Sequence, residues 1–127
     1  MSADLVVTVS VLDQNSGQVF PSLGIPPWNV FQAGTNKRSI ESQGFLVGTS
    51  DTTIPLGTIG TLGYAYFQNL DGTNSIDIKN VASGTIIAHL PPAPSPPAFF
   101  YVGSGITAPV AIANVAACRL RYRCWEA

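Results

Sequence analysis

Charged side chains are scarce in this sequence. Asp, Glu, Lys and Arg make up 10% of its 127 residues, and the formal net charge is -1, whereas an ordinary soluble domain carries about 25% charged residues. This balance excludes the strongly basic surface of a general nucleic-acid binder, so we predict no nucleic-acid partner. A surface with few charges also resists association poorly. We therefore expect the protein to work in an assembly, as a homo-oligomer such as a trimer, although a free neutral β protein would have the same composition.

Residues that bind metals or act as nucleophiles are equally scarce. The chain has one histidine, His89, and two cysteines, Cys118 and Cys124, with no Cys-x-x-Cys pair. If both cysteines lie on one strand they are ~20 Å apart, whereas a disulfide needs Cα atoms within about 7 Å, so we expect two reduced thiols. His89 has no acid or nucleophile near it in sequence, and no Gly-x-Ser-x-Gly elbow occurs. We therefore predict a structural or surface role for His89, no cofactor and no enzymatic activity.

Long apolar runs are also absent. No stretch approaches the ~20 residues that span a bilayer, so we predict no membrane partner. Residues 1–4 carry no basic side chain, and no apolar segment with a cleavage site follows them. A secretory signal has both features, and we therefore expect the chain to fold in a cytoplasm.

In place of helical periodicity, the sequence shows short apolar segments that alternate with turns every 8–12 residues or so. We predict an all-β fold: one antiparallel β-sandwich over residues 1–127, jelly-roll-like, with about eight short strands. Two segments fall outside its sheets, an irregular loop at residues 15–36 and a proline-rich loop at residues 91–97. The second has five prolines, which favour an extended polyproline II conformation. Residues 110–117 are Ala-rich and leave a helix as an alternative, although they have several β-branched residues and no cap.

The clearest strand pattern lies in residues 56–79. We predict a hairpin here, with its turn at residues 69–74. Asp71-Gly72 is a strong turn signal because glycine adopts a positive φ at little cost. In the first strand, period-2 alternation separates two faces. One face carries Leu62, Tyr64 and Tyr66, and the other carries Ala65 and Phe67.

Four polar residues in and beside this turn have the chemistry of Ca²⁺ ligands: Asn69, Asp71, Asn74 and Asp77. Their spacing is not that of an EF-hand. Asn and Asp side chains also hydrogen-bond the backbone of turns, which explains the first three without a metal. We therefore predict no metal site, with Ca²⁺ binding as the less favoured alternative.

Three arginines alternate with apolar residues near the end of the chain. On a strand, Arg119, Arg121 and Arg123 share one face, while Leu120, Tyr122 and the two cysteines share the other. The arginine face is either simply solvated or a contact surface for an acidic partner, because the planar guanidinium matches carboxylates.

Six aromatic residues cluster in two predicted strands. Aromatic side chains of this kind form either core and interface or a platform on which sugars stack, and we favour the core. The six are Tyr64, Tyr66, Phe67, Phe99, Phe100 and Tyr101.

Residues 60–74, GTLGYAYFQNLDGTN, resemble a pattern of small structural proteins of tailed bacteriophages. In that family a G-x-L-G, aromatic and N-L-D-x-T-N hairpin is followed by a Pro-containing turn, an aromatic strand and a closing A-A-x-R-L-x-Y strand. The later parts match here at residues 89–91, 99–101 and 116–122. The resemblance covers roughly residues 55–123, but the proline run 91–97 replaces a shorter turn, and residues 1–54 match nothing in the pattern.

This resemblance implies a virion structural protein, most simply a capsid decoration or cement protein that binds the coat shell and stabilises it. It implies the major capsid protein or other virion proteins as partners, assembly in the host cytoplasm and location in the virion. The alternative is a tail- or fibre-associated module that binds a receptor or glycan. We expect the partner contacts at the arginine face and in the proline-containing loops. The candidate contact residues are Arg119, Arg121, Arg123, Pro94, Pro96 and Trp28.

Overall fold

The structure is a computed structural model that describes residues 5–7, 11–13, 18–20, 28–30, 38–103 and 105–127. The chain divides into two compact units, Met1–Ala33 and Gly34–Ala127. Within the described ranges there are twelve strands and no helix. The prediction of a single domain over residues 1–127 stays a prediction.

The unit Met1–Ala33 contains two antiparallel strand pairs. β1 pairs with β4 and β2 pairs with β3. Two of these strands lie within residues 15–36, the segment predicted as an irregular loop. Trp28 opens β4 opposite Val7, and its side chain lies outside the described residues. The four strands are β1 Leu5–Val7, β2 Val11–Asp13, β3 Gln18–Phe20 and β4 Trp28–Val30.

The unit Gly34–Ala127 contains two four-stranded antiparallel sheets, ordered β10-β7-β12-β5 and β6-β11-β8-β9. Consecutive strands alternate between the sheets, except for the hairpin β8–β9. This strand order is that of an eight-stranded jelly roll, so the prediction of an all-β sandwich is confirmed. The eight strands are β5 Ser39–Val47, β6 Thr52–Thr53, β7 Leu62–Asn69, β8 Ile76–Lys79, β9 Ile86–Leu90, β10 Ala98–Tyr101, β11 Val110–Ala113 and β12 Cys118–Glu126.

One hydrophobic core joins the inner faces of the two sheets. Alternation along the strands sends every second side chain into it, which is why β12 follows a strict buried–exposed pattern from Cys118 to Cys124. Removal of apolar surface from water at this core is the main term that stabilises the sandwich. Its largest fully buried side chains include Phe67, Leu62, Ile76, Ile78, Leu90 and Leu120.

Two bulges adjust which side chains face the core. Opposite β12, β5 has one extra residue at Gln43–Gly44, so Gly44 lies in a β-bulge. β7 has one extra residue between Leu62 and Ala65. That bulge turns Leu62 to the core, where it is 1% exposed. The prediction that Leu62 shares a face with Tyr64 and Tyr66 is therefore wrong, because simple alternation does not anticipate a bulge.

The predicted hairpin over residues 56–79 is also wrong. β7 and β8 lie in different sheets, so residues 70–75 cross from one sheet to the other. Gly72 does not have a positive φ, in contrast to Gly57, Gly103 and Gly105. The turn is shaped instead by side chains that bond its backbone.

Two further predictions are corrected. Residues 110–113 form strand β11, so the helical alternative for residues 110–117 is wrong. The proline-rich loop 91–97 bends at residues 92–94 and does not run straight as polyproline II. Ala93 N donates to Asp71 O at 2.7 Å, and this bond ties the bent loop to the β7–β8 turn.

Candidate functional site

Three loops lie together at one end of the sandwich. They are residues 70–75, 91–97 and 114–117, which we call the loop end. Backbone hydrogen bonds join them: Ala93 N donates to Asp71 O, and Asn114 N donates to Ser75 O. Ser75 N donates in return to the Asn114 side chain. The loop end is therefore a hydrogen-bonded surface and not three independent loops.

Asn69 is the buried polar residue beneath the loop end. It is 2% exposed. Its side-chain nitrogen lies 2.8 Å from Asn74 O, 3.2 Å from Leu90 O and 3.1 Å from Pro91 O. Its side-chain oxygen accepts a hydrogen bond from Asp71 N at 2.9 Å. One side chain thus fixes the start of the β7–β8 turn and the start of the proline-rich loop.

Asp71 holds the rest of the turn. Its carboxylate accepts hydrogen bonds from the backbone N–H groups of Asn74 and Thr73. These bonds lower the pKa of Asp71 below its usual value of 3.8, with Asn74 N–H as the larger cause. Together with the Asn69 bonds, they confirm the prediction that the Asn69 and Asp71 side chains bond the backbone of the turn.

The surface of the loop end is apolar and almost uncharged. Asp71 is its one charged residue. Leu70 is 36% exposed and Val115 is 75% exposed, and the predicted contact residues Pro94 and Pro96 are exposed in the proline-rich loop of the same end. Exposed apolar side chains grouped on one surface are typical of a site that contacts another molecule.

A second surface covers the outer side of the sheet β10-β7-β12-β5. The predicted arginine face lies here: Arg119, Arg121 and Arg123 are exposed, while Leu120 and Tyr122 are buried. Alternation along β12 therefore places the side chains as predicted. Whether the arginines contact a partner stays a prediction.

The aromatic residues divide between the two sides of the same sheet. Phe67 and Phe100 pack inward, at or against the core, as predicted. Phe99 is 43% exposed and Tyr101 is 56% exposed, so the core prediction is wrong for both. They alternate with Phe100 along β10, and the sequence signal that could have separated them is that period-2 register.

The outward aromatic rings contact one another. Tyr64 stacks on Phe99 with a centroid separation of 5.3 Å and lies 5.2 Å from the ring of Tyr101. Phe99 also meets Trp125 edge to face at 6.0 Å. Sequence reasoning did not identify Trp125, because its contact is with β10, far away in the chain. We call Tyr64, Tyr66, Phe99, Tyr101, Trp125 and the three arginines the aromatic–arginine face.

Each arginine of this face has a neighbour on an adjacent strand. Arg119 donates to Gly44 O at 3.0 Å, at the β5 bulge. Arg121 donates to Gln68 Oε1 at 3.4 Å. Arg123 pairs with Glu41 at 3.3 Å and lies over the Trp125 ring at 5.3 Å from its centroid. These contacts hold the guanidinium groups along the sheet.

His89 has an acidic neighbour that sequence reasoning missed. Its Nδ1 lies 2.5 Å from Asp77 Oδ1, because β8 and β9 pair in register at these two residues. Asp77 is therefore a partner of His89 and not of the turn residues. The pair lies on the exterior of the second sheet, where His89 is 59% exposed.

Both cysteines are free and buried on the inner face of β12. Burial raises the pKa of Cys124 to about 12, and burial with the Asp71 charge raises the pKa of Cys118. Because the thiolate is the reactive form, neither thiol has the properties of a nucleophile at neutral pH.

Within the described ranges, no group of three or more His, Cys, Asp or Glu residues is placed to hold a metal ion. A helix long and apolar enough to cross a membrane is likewise not found in the part of the chain that the structure describes.

Comparison of the chain with protein-family models, with curated proteins and with solved structures gave no match.

Proposed function

We propose that this protein is a virion structural protein of a tailed bacteriophage, a capsid decoration or cement protein that docks on the coat shell through its loop end. The observation that carries the proposal is the composition of that end: exposed Leu70, Val115, Pro94 and Pro96 with one charged residue. The sequence pattern shared with phage structural proteins supports the same function. The jelly roll supports it more weakly, since this fold serves viral capsids, lectins and enzymes alike.

The loop end has the physical properties that docking requires. Burial of apolar side chains supplies a favourable free energy of association of about 25 cal/mol per Å² of apolar surface removed from water. The hydrogen bonds of Asn69 and Asp71 fix the loops before binding. A fixed surface loses less conformational entropy on binding than a mobile one.

Stabilisation of the shell would follow from mass action. A ligand that binds the assembled shell and not its separated subunits shifts the equilibrium toward assembly. Each copy seated across neighbouring coat subunits adds its binding free energy to their contact. This mechanism needs no catalytic group and no cofactor.

The test is cosedimentation of the protein with phage shells that lack it. We expect the wild-type protein to pellet with the shells and to raise their melting temperature. Val115→Asp places a charge at the most exposed apolar side chain of the loop end and should lower shell occupancy at least about tenfold. Ile86→Asp is the matched control, because Ile86 is 51% exposed on β9, away from the loop end.

Two results would count against the proposal. Failure of the wild-type protein to pellet with any shell would reject the decoration function. Equal occupancy of Val115→Asp and wild type would reject the loop end as the docking surface.

A further inference from the structure

We propose that the aromatic–arginine face binds a polysaccharide whose sugar rings carry carboxylates, a polymer of uronic acids. This inference does not rest on shell docking, because the face lies on the outer side of one sheet and the proposed shell contact lies at the loop end. Its argument starts from the positions of the side chains in the sheet.

Strand register arranges the face in rows. Tyr101 lies opposite Tyr64, and Phe99 lies opposite Tyr66. On the other side of β7, Tyr66 lies opposite Arg123. The tyrosine and phenylalanine rings therefore occupy the β10 and β7 half of the face, and the guanidinium groups run beside them along β12, which also carries Trp125.

The rings are held in place before any ligand binds. Phe99 contacts both Tyr64 and Trp125, with centroids 5.3 and 6.0 Å away. A sugar ring packs its C–H face against an aromatic ring through dispersion and removal of apolar surface from water. Since the aromatic cluster is already assembled, little side-chain freedom is lost on binding.

Hydrogen-bonding groups lie directly beside the rings. The Tyr66 hydroxyl donates to Gln68 Oε1 at 3.1 Å, and Arg121 donates to the same oxygen at 3.4 Å. The Gln68 amide nitrogen and the remaining Arg121 N–H groups are donors for a ligand, since a guanidinium has five N–H groups. Donors at the edge of an aromatic cluster suit a ligand that has many hydroxyl groups.

Charge selects the acidic class of sugar. The outward positions of the sheet carry three arginines, and Glu41 is the carboxylate that pairs with one of them, Arg123. Arg119 and Arg121 bond a carbonyl and an amide oxygen, so their charges are not neutralised by these partners. A guanidinium matches the two oxygens of a carboxylate, and a uronic acid presents one carboxylate on each sugar ring.

Single-stranded nucleic acid also combines anionic groups with stacking rings. Its affinity depends on the number of phosphates that the protein neutralises. Arg119 and Arg121, which have no carboxylate partner within the described ranges, supply few such contacts on a chain of net charge -1. A polysaccharide that binds by sugar stacking with one or two carboxylate contacts needs fewer positive charges on the protein. The face therefore suits a polysaccharide better than a single-stranded nucleic acid.

The experiment is a binding titration of the full-length protein with polygalacturonate. The matched ligand control is its methyl ester, which keeps the sugar rings and removes the charge, and oligothymidylate tests nucleic acid. We expect tighter binding of polygalacturonate than of either control. Tyr101→Ala should weaken polygalacturonate binding at least about tenfold, as loss of one aromatic anchor does at other binding surfaces. Ile86→Ala, at an exposed residue of the other sheet, should bind as the wild type does.

Arg121→Gln separates charge from stacking. It should remove most of the preference for the acid over the ester, because it weakens binding of the acid much more than binding of the ester. Absence of polygalacturonate binding, equal binding of acid and ester by the wild type, or tighter binding of oligothymidylate would each overturn the inference. Shell cosedimentation of the same variants distinguishes the two proposals, because Tyr101→Ala should still occupy shells as the wild type does.

Discussion

At the scale of single residues, the geometry of the loop end depends on Asn69. Its amide reaches carbonyl oxygens of two different segments, at Asn74 before β8 and at Leu90 and Pro91 after β9. A buried carbonyl that loses its hydrogen-bond donor has left water without gaining a partner, and this lowers the free energy of unfolding. The contribution of this side chain to stability is therefore larger than that of an ordinary surface amide.

Replacement of Asn69 tests this contribution. We expect Asn69→Ala to lower the free energy of unfolding by about 2 kcal/mol, since it removes the side-chain donor to Leu90 O at a buried position and the donor to Asn74 O. Asn69→Asp keeps the volume and removes the N–H donors, so it should be at least as destabilising. Urea titration followed by circular dichroism measures both changes.

Asn80 offers the matched control for that experiment. Its side chain accepts a single hydrogen bond, from Thr85 N at 2.8 Å, in an exposed turn. Asn80→Ala should therefore cost less than about 1 kcal/mol. Equal losses in the Asn69 and Asn80 variants would mean that the buried network adds nothing.

At the scale of single strands, the bulge in β7 shows how backbone geometry selects the core. The extra residue lies between Leu62 and Ala65 and brings Leu62 inward. Gly63 sits in this bulge against the end of the chain. A Cβ at Gly63 would lie 3.0 Å from Ala127 Cα and 3.2 Å from Trp125 O.

Gly63→Ala should consequently destabilise the protein by about 1–2 kcal/mol, because backbone atoms must move to admit the methyl group. Gly72→Ala is the control at a position where a Cβ meets nothing within 4 Å. It should be neutral or stabilise by up to about 0.5 kcal/mol, through a smaller entropy of the unfolded chain. Thermal unfolding of both variants measures the difference, and equal melting temperatures would contradict the close approach at Gly63.

Local alternation predicted the strands better than it predicted their partners. It placed Arg119, Arg121 and Arg123 outward and Leu120 and Tyr122 inward, because the faces of one strand depend on its own register. It joined β7 and β8 as a hairpin, and they lie in different sheets. Pairing depends on contacts between distant segments, which period-2 alternation does not contain.

The candidate surfaces likewise contain residues that the sequence could identify and contacts that it could not. Pro94, Pro96 and the three arginines could be singled out from the sequence, because prolines and strand alternation place them at the surface. The Phe99–Trp125 and His89–Asp77 contacts each join two strands of one sheet. Such contacts depend on which strands lie close together in a sheet. The sequence alone does not give that order, so it does not reveal the contacts.

At the scale of the whole molecule, the jelly roll presents two different surfaces. Its loop end is apolar and nearly uncharged, and the outer side of one sheet is aromatic and cationic. Loops at a sandwich end can change without loss of the core, whereas a sheet face is fixed by strand register. The two proposals depend on this separation, since shell docking and polysaccharide binding would then use different side chains.

The two tryptophans allow a test of whether the chain unfolds as one domain. Trp28 lies in the unit Met1–Ala33 and Trp125 in the unit Gly34–Ala127. Segments shorter than about 40 residues seldom fold alone without a disulfide or a metal, and both cysteines lie in the larger unit. We therefore expect the fluorescence of Trp28 and of Trp125 to change at the same urea concentration.

The measurement uses Trp125→Phe, which leaves Trp28 as the reporter, and Trp28→Phe, which leaves Trp125. In each variant the fluorescence midpoint is compared with that variant's own circular dichroism midpoint, so a small loss of stability from either substitution cancels. Coincident midpoints in both variants support one cooperative domain. A Trp28 transition at lower urea than the circular dichroism transition would show that residues 1–33 unfold separately, because circular dichroism then reports mainly on the eight strands of the sandwich.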